Sequence, residues 1–226
     1  MAKAKVAVKD TEQTGPPWLI QKVSTWPGAF GAFKYSQSAV MLNLATILIL
    51  YIIGFLGGMF QNFLPEALYV ILYTIISVIV YVVQYKVYLA SAQGRKLDIG
   101  DAFKESMDVN LILNMVGLGI VVGATLFFGF LLFIIPGLIL LPRFLLAPYF
   151  LLEQKKLDFV EAYKASWNGT KGHSWKVWGL IGAGFVMILP VFTIIGIPVS
   201  IYLLFMYSAV SAVLYEYVKK TGPLKD

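Results

Sequence analysis

Apolar and polar positions fall in long blocks along this chain and do not alternate residue by residue. Apolar runs cover about 39–60, 65–90, 109–135, 137–152, 175–195 and 197–215. Each is close to the roughly 20 residues that a helix needs to cross a bilayer core. The links after the first, third and fifth runs are short and contain no Lys or Arg, whereas the links after the second and fourth are longer and polar. This spacing predicts six transmembrane helices arranged as three hairpins. Near the start of each second helix stands a proline (Pro65, Pro136, Pro198), suited to a first helical turn where its missing N–H has no partner to lose.

The longer links share a pattern. Residues 96–107 read KLDIGDAFKESM and residues 156–167 read KLDFVEAYKASW, identical in six of twelve columns. A fainter copy, Ala32-Phe33-Lys34-Tyr35-Ser36, precedes the first hairpin. From the lysine of each copy to the following hairpin proline is 31, 32 and 34 residues (Lys34 to Pro65, Lys104 to Pro136, Lys164 to Pro198). The repeating unit is therefore a short helix followed by a hairpin, with units at about 28–90, 97–152 and 157–215. Asp98 and Asp158 stand at N-cap positions, with Asp101 and Glu161 three residues on. Ile99, Ala102, Phe103, Ser106 and Met107 share one helical face, as do Phe159, Ala162, Tyr163, Ser166 and Trp167. The predicted class is an all-α membrane protein: six transmembrane helices as three hairpins, each preceded by a short amphipathic cytoplasmic helix, in pseudo-threefold repetition. Residues 1–17 read as a flexible polar tail and 18–226 as a single membrane domain, opened by an interfacial segment at 18–38.

Charge fixes an expected orientation. Of the 18 basic residues, 17 lie before the first hairpin, in or near the longer links, or in the C-terminal tail, and the exception is Arg143. By the positive-inside rule both termini are expected in the cytoplasm, in a multi-pass protein of the cell (inner, cytoplasmic) membrane. The net charge of +6 then reflects topology, and no nucleic-acid partner is expected. Only 13% of residues are charged, about half the roughly 25% of a soluble domain.

Chemistry-bearing residues are few. There are no cysteines and a single histidine, His173, so no metal, no cofactor and no catalytic constellation is expected. The chain reads as a non-enzyme. Lys34, Lys104 and Lys164 can lay their stems along apolar surface and reach headgroups. With Trp167 and His173 they mark the repeated helices either as a ring that binds anionic lipid or as packing caps on the bundle. Arg143 is an ionisable residue inside an apolar run, costly there and a functional candidate. It holds an anion in a cavity, or it locks the bundle through carbonyls, tyrosines or Asn114. Small-residue pairs Gly54/Gly58, Gly119/Gly123 and Gly179/Ala183 predict close helix packing. No paired carboxylates fall within one run.

The stretch Ile135-Pro136-Gly137-Leu138, Pro142-Arg143-Phe144-Leu145-Leu146-Ala147-Pro148-Tyr149, Glu153 and Glu161-Ala162-Tyr163-Lys164-Ala165-Ser166-Trp167, on to Trp175, resembles the membrane domain attached to some bacterial glycerophosphodiester phosphodiesterases. It is equally similar to stand-alone bacterial and archaeal relatives of that domain. The resemblance covers about 135–180 and implies a characteristic core to which no catalytic role is assigned. The phosphodiesterase's soluble catalytic domain has no counterpart in these residues, so its activity is not implied. The expected function is a scaffold or lipid-associated accessory subunit whose partners are membrane lipids, other membrane subunits or further copies. The alternative is a channel or permease for a small anionic or amphipathic solute, with Arg143 lining its path.

Overall fold

Long apolar stretches with no outside partner for their N–H and C=O groups must satisfy them internally, and helices do so. A computed structural model describes residues 26–132, 134–153, 157–188 and 196–221, and among these there are helices and connections but no strand. The polar tail, the first part of the interfacial segment with Lys22, the pair Lys155 and Lys156, and the link around 189–195 lie outside the described residues.

The expected first span is not straight. Helix α1 (Ala29–Leu42) meets α2 (Leu44–Met59) at an angle of 82°. Asn43 sits at the corner with φ −122° and ψ 26°, and its side chain is committed to another part of the chain. Its amide donates to Ser91 Oγ (2.8 Å) and to the Arg95 carbonyl (3.0 Å), while its Oδ1 accepts from the Leu97 N–H (2.7 Å). A 3-10 turn (Phe60–Asn62) leads to Pro65, the N-cap of α3 (Glu66–Ala92). Gly94, at φ 74°, then turns the chain back into α4 (Ile99–Ser106).

After α5 (Val109–Leu132), the expected span at 137–152 is also broken: α6 (Ile134–Phe144) and α7 (Ala147–Glu153) flank a turn at Leu145 and Leu146. Pro148, in the first turn of α7, has no N–H to offer the Phe144 carbonyl, and its ring crowds that oxygen. The Tyr149 N–H instead reaches Leu146 O at 3.1 Å, which restarts the helix. Helices α8 (Phe159–Gly169), α9 (Ser174–Ile188) and α10 (Gly196–Thr221) complete the described chain. By length and hydropathy α3, α5 and residues 200–220 of α10 can each cross a membrane, and α1 with α2 makes a bent fourth candidate.

The core gathers at one end of the bundle. α10 packs against α1, α3 and α9, and Val83, Val87, Leu146, Phe150, Val210 and Leu214 are fully buried. Two thirds of the apolar window of α10 is buried (65%) against 17% for α3 and α5, so α10 is central and the other two present apolar flanks outward. Both aspartate caps form as the sequence predicts. Asp98 accepts from the Asp101 N–H, and Asp158 and Glu161 form a reciprocal capping box. The three lysine-bearing helices occupy matching environments. Ala32, Ala102 and Ala162 are fully enclosed, Ser36, Ser106 and Ser166 are buried, and Lys34, Lys104 and Lys164 are exposed.

One of the three small-residue pairs packs as expected: a Cβ on Gly179 would lie 3.5 Å from the Ala29 Cβ, and Ala183 is buried. The other two do not, because a Cβ at Gly54, Gly58, Gly119 or Gly123 would meet nothing within 4 Å among the described residues. Close approach occurs elsewhere. A Cβ on Gly129 would lie 3.2 Å from the Gly137 Cα, and one on Gly184 would lie 2.8 Å from the Tyr207 ring.

Candidate functional site

Arg143 ends α6 beside α8. Its guanidinium carbon lies 5.3 Å from the centre of the Trp167 ring, and its carbonyl accepts from Ser166 Oγ at 2.6 Å. Phe144 stacks on Tyr163 at 4.4 Å, so α6 and α8 join through an aromatic and cationic seam. One guanidinium nitrogen, Nη1, is buried without a hydrogen-bond partner among the described residues. Asn114 is not part of this contact, contrary to the expected lock. Its Oδ1 accepts from the Phe159 N–H (3.2 Å) and its amide donates to the Asn110 carbonyl (2.9 Å). It therefore pins the start of α8, as Asn43 pins the link before α4.

The exposed lysines are not drawn together. Lys104 lines a pocket of about 240 Å³ with Glu105, Asp108, Asn110 and Asn114, and the two acids offset its charge. Burial alone would raise the Glu105 carboxyl, but Arg95 at 3.1 Å and Lys86 at 3.5 Å outweigh it and hold the carboxyl below the ordinary carboxylate range. His173 lies edge-on to Tyr217, and its Nδ1 is 2.9 Å from Lys176 Nζ. Burial and then the Lys176 charge lower its pKa, which favours a neutral ring. No cluster of three metal-ligating side chains exists among the described residues.

The most concentrated chemistry lies where no motif pointed. A cavity of about 250 Å³ between α2, α3, α7 and α10 is walled by Tyr51, Tyr81, Tyr85, Tyr88, Tyr149 and Tyr207. Three of these, with Gln84, come from one face of α3 at i, i+3, i+4 and i+7. Tyr149 enters from α7, and its hydroxyl meets Ser211 Oγ at 2.6 Å, while Ser211 donates to the Ser208 carbonyl. Tyr81 and Tyr85 hydroxyls pair at 2.7 Å, and the Tyr85 ring meets Tyr149 edge-on at 5.0 Å. Gln84 and Tyr207 also line the chamber, and their polar ends have no hydrogen-bond partner among the described residues. Among the described residues, no carboxylate, lysine or arginine side chain lines the chamber.

The chamber has a side opening and a closed end. An apolar cleft of about 230 Å³ between α3, α5, α6 and α7 shares Tyr81, Tyr85 and Leu145 with it. Tyr81 is 50% exposed, so the shared wall reaches the outer flank of the bundle. Towards the ends of α3, α7 and α10, Tyr149 stacks on Tyr215 at 5.6 Å. Beyond that stack Gln93 donates to Glu216 (2.9 Å) and Glu153 (3.2 Å), and Glu153 also takes Tyr215 and Lys219. Sequence reading found no paired carboxylates because these two acids are 63 residues apart and meet only when the helix ends converge. Arg143 lines neither the chamber nor the cleft.

Comparison of the chain with family models, with curated proteins and with solved structures finds no match. The functional reading therefore rests on this geometry.

Proposed function

We propose that the chain is a non-enzymatic, lipid-associated membrane protein that holds an amphipathic molecule, taken sideways from the bilayer, in its tyrosine-walled core. One observation carries the reading: the polar-edged chamber and the apolar cleft share a wall that reaches the outer flank. A ligand site of mostly apolar lining with a few convergent polar groups is the usual form of a small-molecule pocket. A chamber for a head joined to a cleft for a tail suits a guest with both. The permease alternative is less well supported. A through path would have to pass the Tyr149 and Tyr215 stack and the Gln93, Glu153 and Glu216 cluster, and Arg143 lines no part of the chamber.

The same proposal reads the chain as six spans in three related units, in the cell membrane, with both termini cytoplasmic. The broken pair α6 and α7 together make one span, as do the bent end of α1 and α2. The matched burial of the three Ala and Ser pairs supports the threefold reading. Likeness to the phosphodiesterase-associated membrane domain is part of it too. The residues carrying that likeness, Arg143, Ser166 and Trp167, converge into one seam. Exposed Lys34, Lys104 and Lys164 would then meet anionic headgroups at the inner surface.

The test is extraction. Protein purified in a mild detergent and then denatured in organic solvent is expected to release a stoichiometric amphipathic molecule. Leu145→Trp, which narrows the shared wall, should lose most of it while keeping the wild-type elution volume and helicity. Equal retention by the variant, or no retained molecule in the wild type, would overturn the reading.

A further inference from the structure

We infer that the head accepted by the tyrosine chamber is neutral, planar and carbonyl-bearing, the chemistry of a quinone with an apolar tail. The inference rests on the lateral-guest reading above and adds the class of guest. The described lining holds no carboxylate or cationic side chain, which favours a neutral head. A charged head brought into such a chamber would lose its hydration and gain no counter-ion.

Hydrogen-bond accounting argues for an acceptor. The Tyr149 proton is engaged by Ser211, and the Ser211 proton by the Ser208 carbonyl. Tyr81 and Tyr85 satisfy one another in part. Each hydroxyl pair, Tyr81 with Tyr85 and Tyr51 with Tyr88, shares one hydrogen bond and leaves one proton over, and the Gln84 amide and the Tyr207 hydroxyl, one from α3 and one from α10, have no partner among the described residues. Donors supplied by two different helices suit a head with more than one carbonyl oxygen. An enclosed polar group gains most from a partner where water is excluded, so these donors select for acceptors.

The rings argue for flatness. Tyr85 and Tyr149, both in the lining, pack edge-on at 5.0 Å, and Tyr149 is backed by the Tyr215 ring at 5.6 Å. A planar ring extends that packing, whereas a branched glycerol head does not. The volume of about 250 Å³ admits a substituted six-membered ring, and the neighbouring cleft, lined by Met115, Leu118, Val122 and Leu126, takes the chain attached to it. A tyrosine box can also hold a quaternary ammonium. Such a cation would leave these donors without acceptors, so the chamber fits it less well.

The experiment uses the purified full chain in nanodiscs of zwitterionic lipid. Decylubiquinone is the probe, read by quenching of intrinsic fluorescence and by equilibrium dialysis. Saturable binding is expected, with Tyr207→Phe and Gln84→Leu each weakening it roughly 2- to 10-fold, the ratio that one lost hydrogen bond produces. Tyr207→Phe keeps the ring, so it reports on the donor even if Gln84→Leu fails to fold. Three competitors divide the outcomes. Decylbenzene, with tail and ring but no carbonyl, should compete poorly, and equal competition would overturn the carbonyl assignment while leaving the lateral-guest reading intact. Dioctanoylglycerol or dodecyltrimethylammonium displacing the quinone at lower concentration than decylubiquinone itself would overturn the planar or the neutral assignment. Absence of binding by any of the four would overturn both readings.

Discussion

At the scale of single residues, the fold depends on a few polar side chains placed where they can serve distant backbone. Asn43 is enclosed and serves three groups, two of them backbone. Asn43→Ala would leave the Leu97 N–H and the Arg95 carbonyl without it, at a cost of about 2–4 kcal/mol. Asn114, half-buried and with one long-range bond, should cost about 1 kcal/mol when changed to Ala. Denaturation of the two variants in mixed detergent micelles should rank them in that order, and the reverse order would refute the assignment. Glu105 gives a pH prediction. Its carboxyl is held below the ordinary value of 4.5, so its contribution is present in full above that pH and is lost as the pH falls through the folded value. Glu105→Gln should flatten the acid limb of the stability profile. It should also lower stability at neutral pH, because Lys86 is buried and loses a carboxylate. A bonding role between helices was legible for both asparagines, but the partners were not. Each stood as a polar residue in or beside an apolar run, and its partners lie 45 to 54 residues away.

At the scale of elements, what could be read in advance was local. The caps on α4 and α8 depend on residues three apart, and both form. Asp158→Ala should therefore cost about 1 kcal/mol and Asp158→Ser much less, because the hydroxyl still accepts from the first turn. Thermal unfolding by circular dichroism in detergent checks this, and equal losses for Ala and Ser would show that the cap carries no weight. The breaks were not readable in the same way. Asn43 is the one polar residue in Val40-Met41-Leu42-Asn43-Leu44, which does not by itself announce a bend, and its side chain at the corner is held by residues 91–97. Pro142 and Pro148 both stand near Arg143 in the sequence, and only the packed helix shows that Pro148 restarts α7 while Pro142 stays inside α6. Two of the three small-residue pairs misled for a related reason. Small-xxx-small spacing marks a face that permits close approach, and no described residue comes to meet those at Gly54 and Gly119, whereas Gly179 does meet Ala29.

At the scale of the whole molecule, apolar run lengths announced a membrane bundle, yet the chamber in its centre stayed hidden. Tyr81, Gln84, Tyr85 and Tyr88 share a face of α3 in plain view. That face becomes a wall only when Tyr51, Tyr149 and Tyr207 arrive from three other helices. The ends of those helices fix the topology that the chamber needs. Gln93, Glu153 and Glu216 meet, so the C-terminal ends of α3, α7 and α10 lie together, and Lys219 and Lys220 lie at that end. The opposite end carries the apolar tip with Phe60 and Phe63, both more than half exposed. A bundle of this polarity should place Lys104 and Lys164 on the cytoplasmic face and Phe63 on the other. The chain has no cysteine, so Lys104→Cys, Lys164→Cys and Phe63→Cys can be labelled one at a time without a background. In intact cells an impermeant maleimide should modify Phe63→Cys alone, and the lysine positions should react only after permeabilisation. Labelling of Phe63→Cys solely after permeabilisation would invert the orientation. Labelling of Lys104→Cys and Lys164→Cys from opposite sides would break the hairpin topology, and with it the arrangement that brings three helix ends to one closed point beneath the tyrosines.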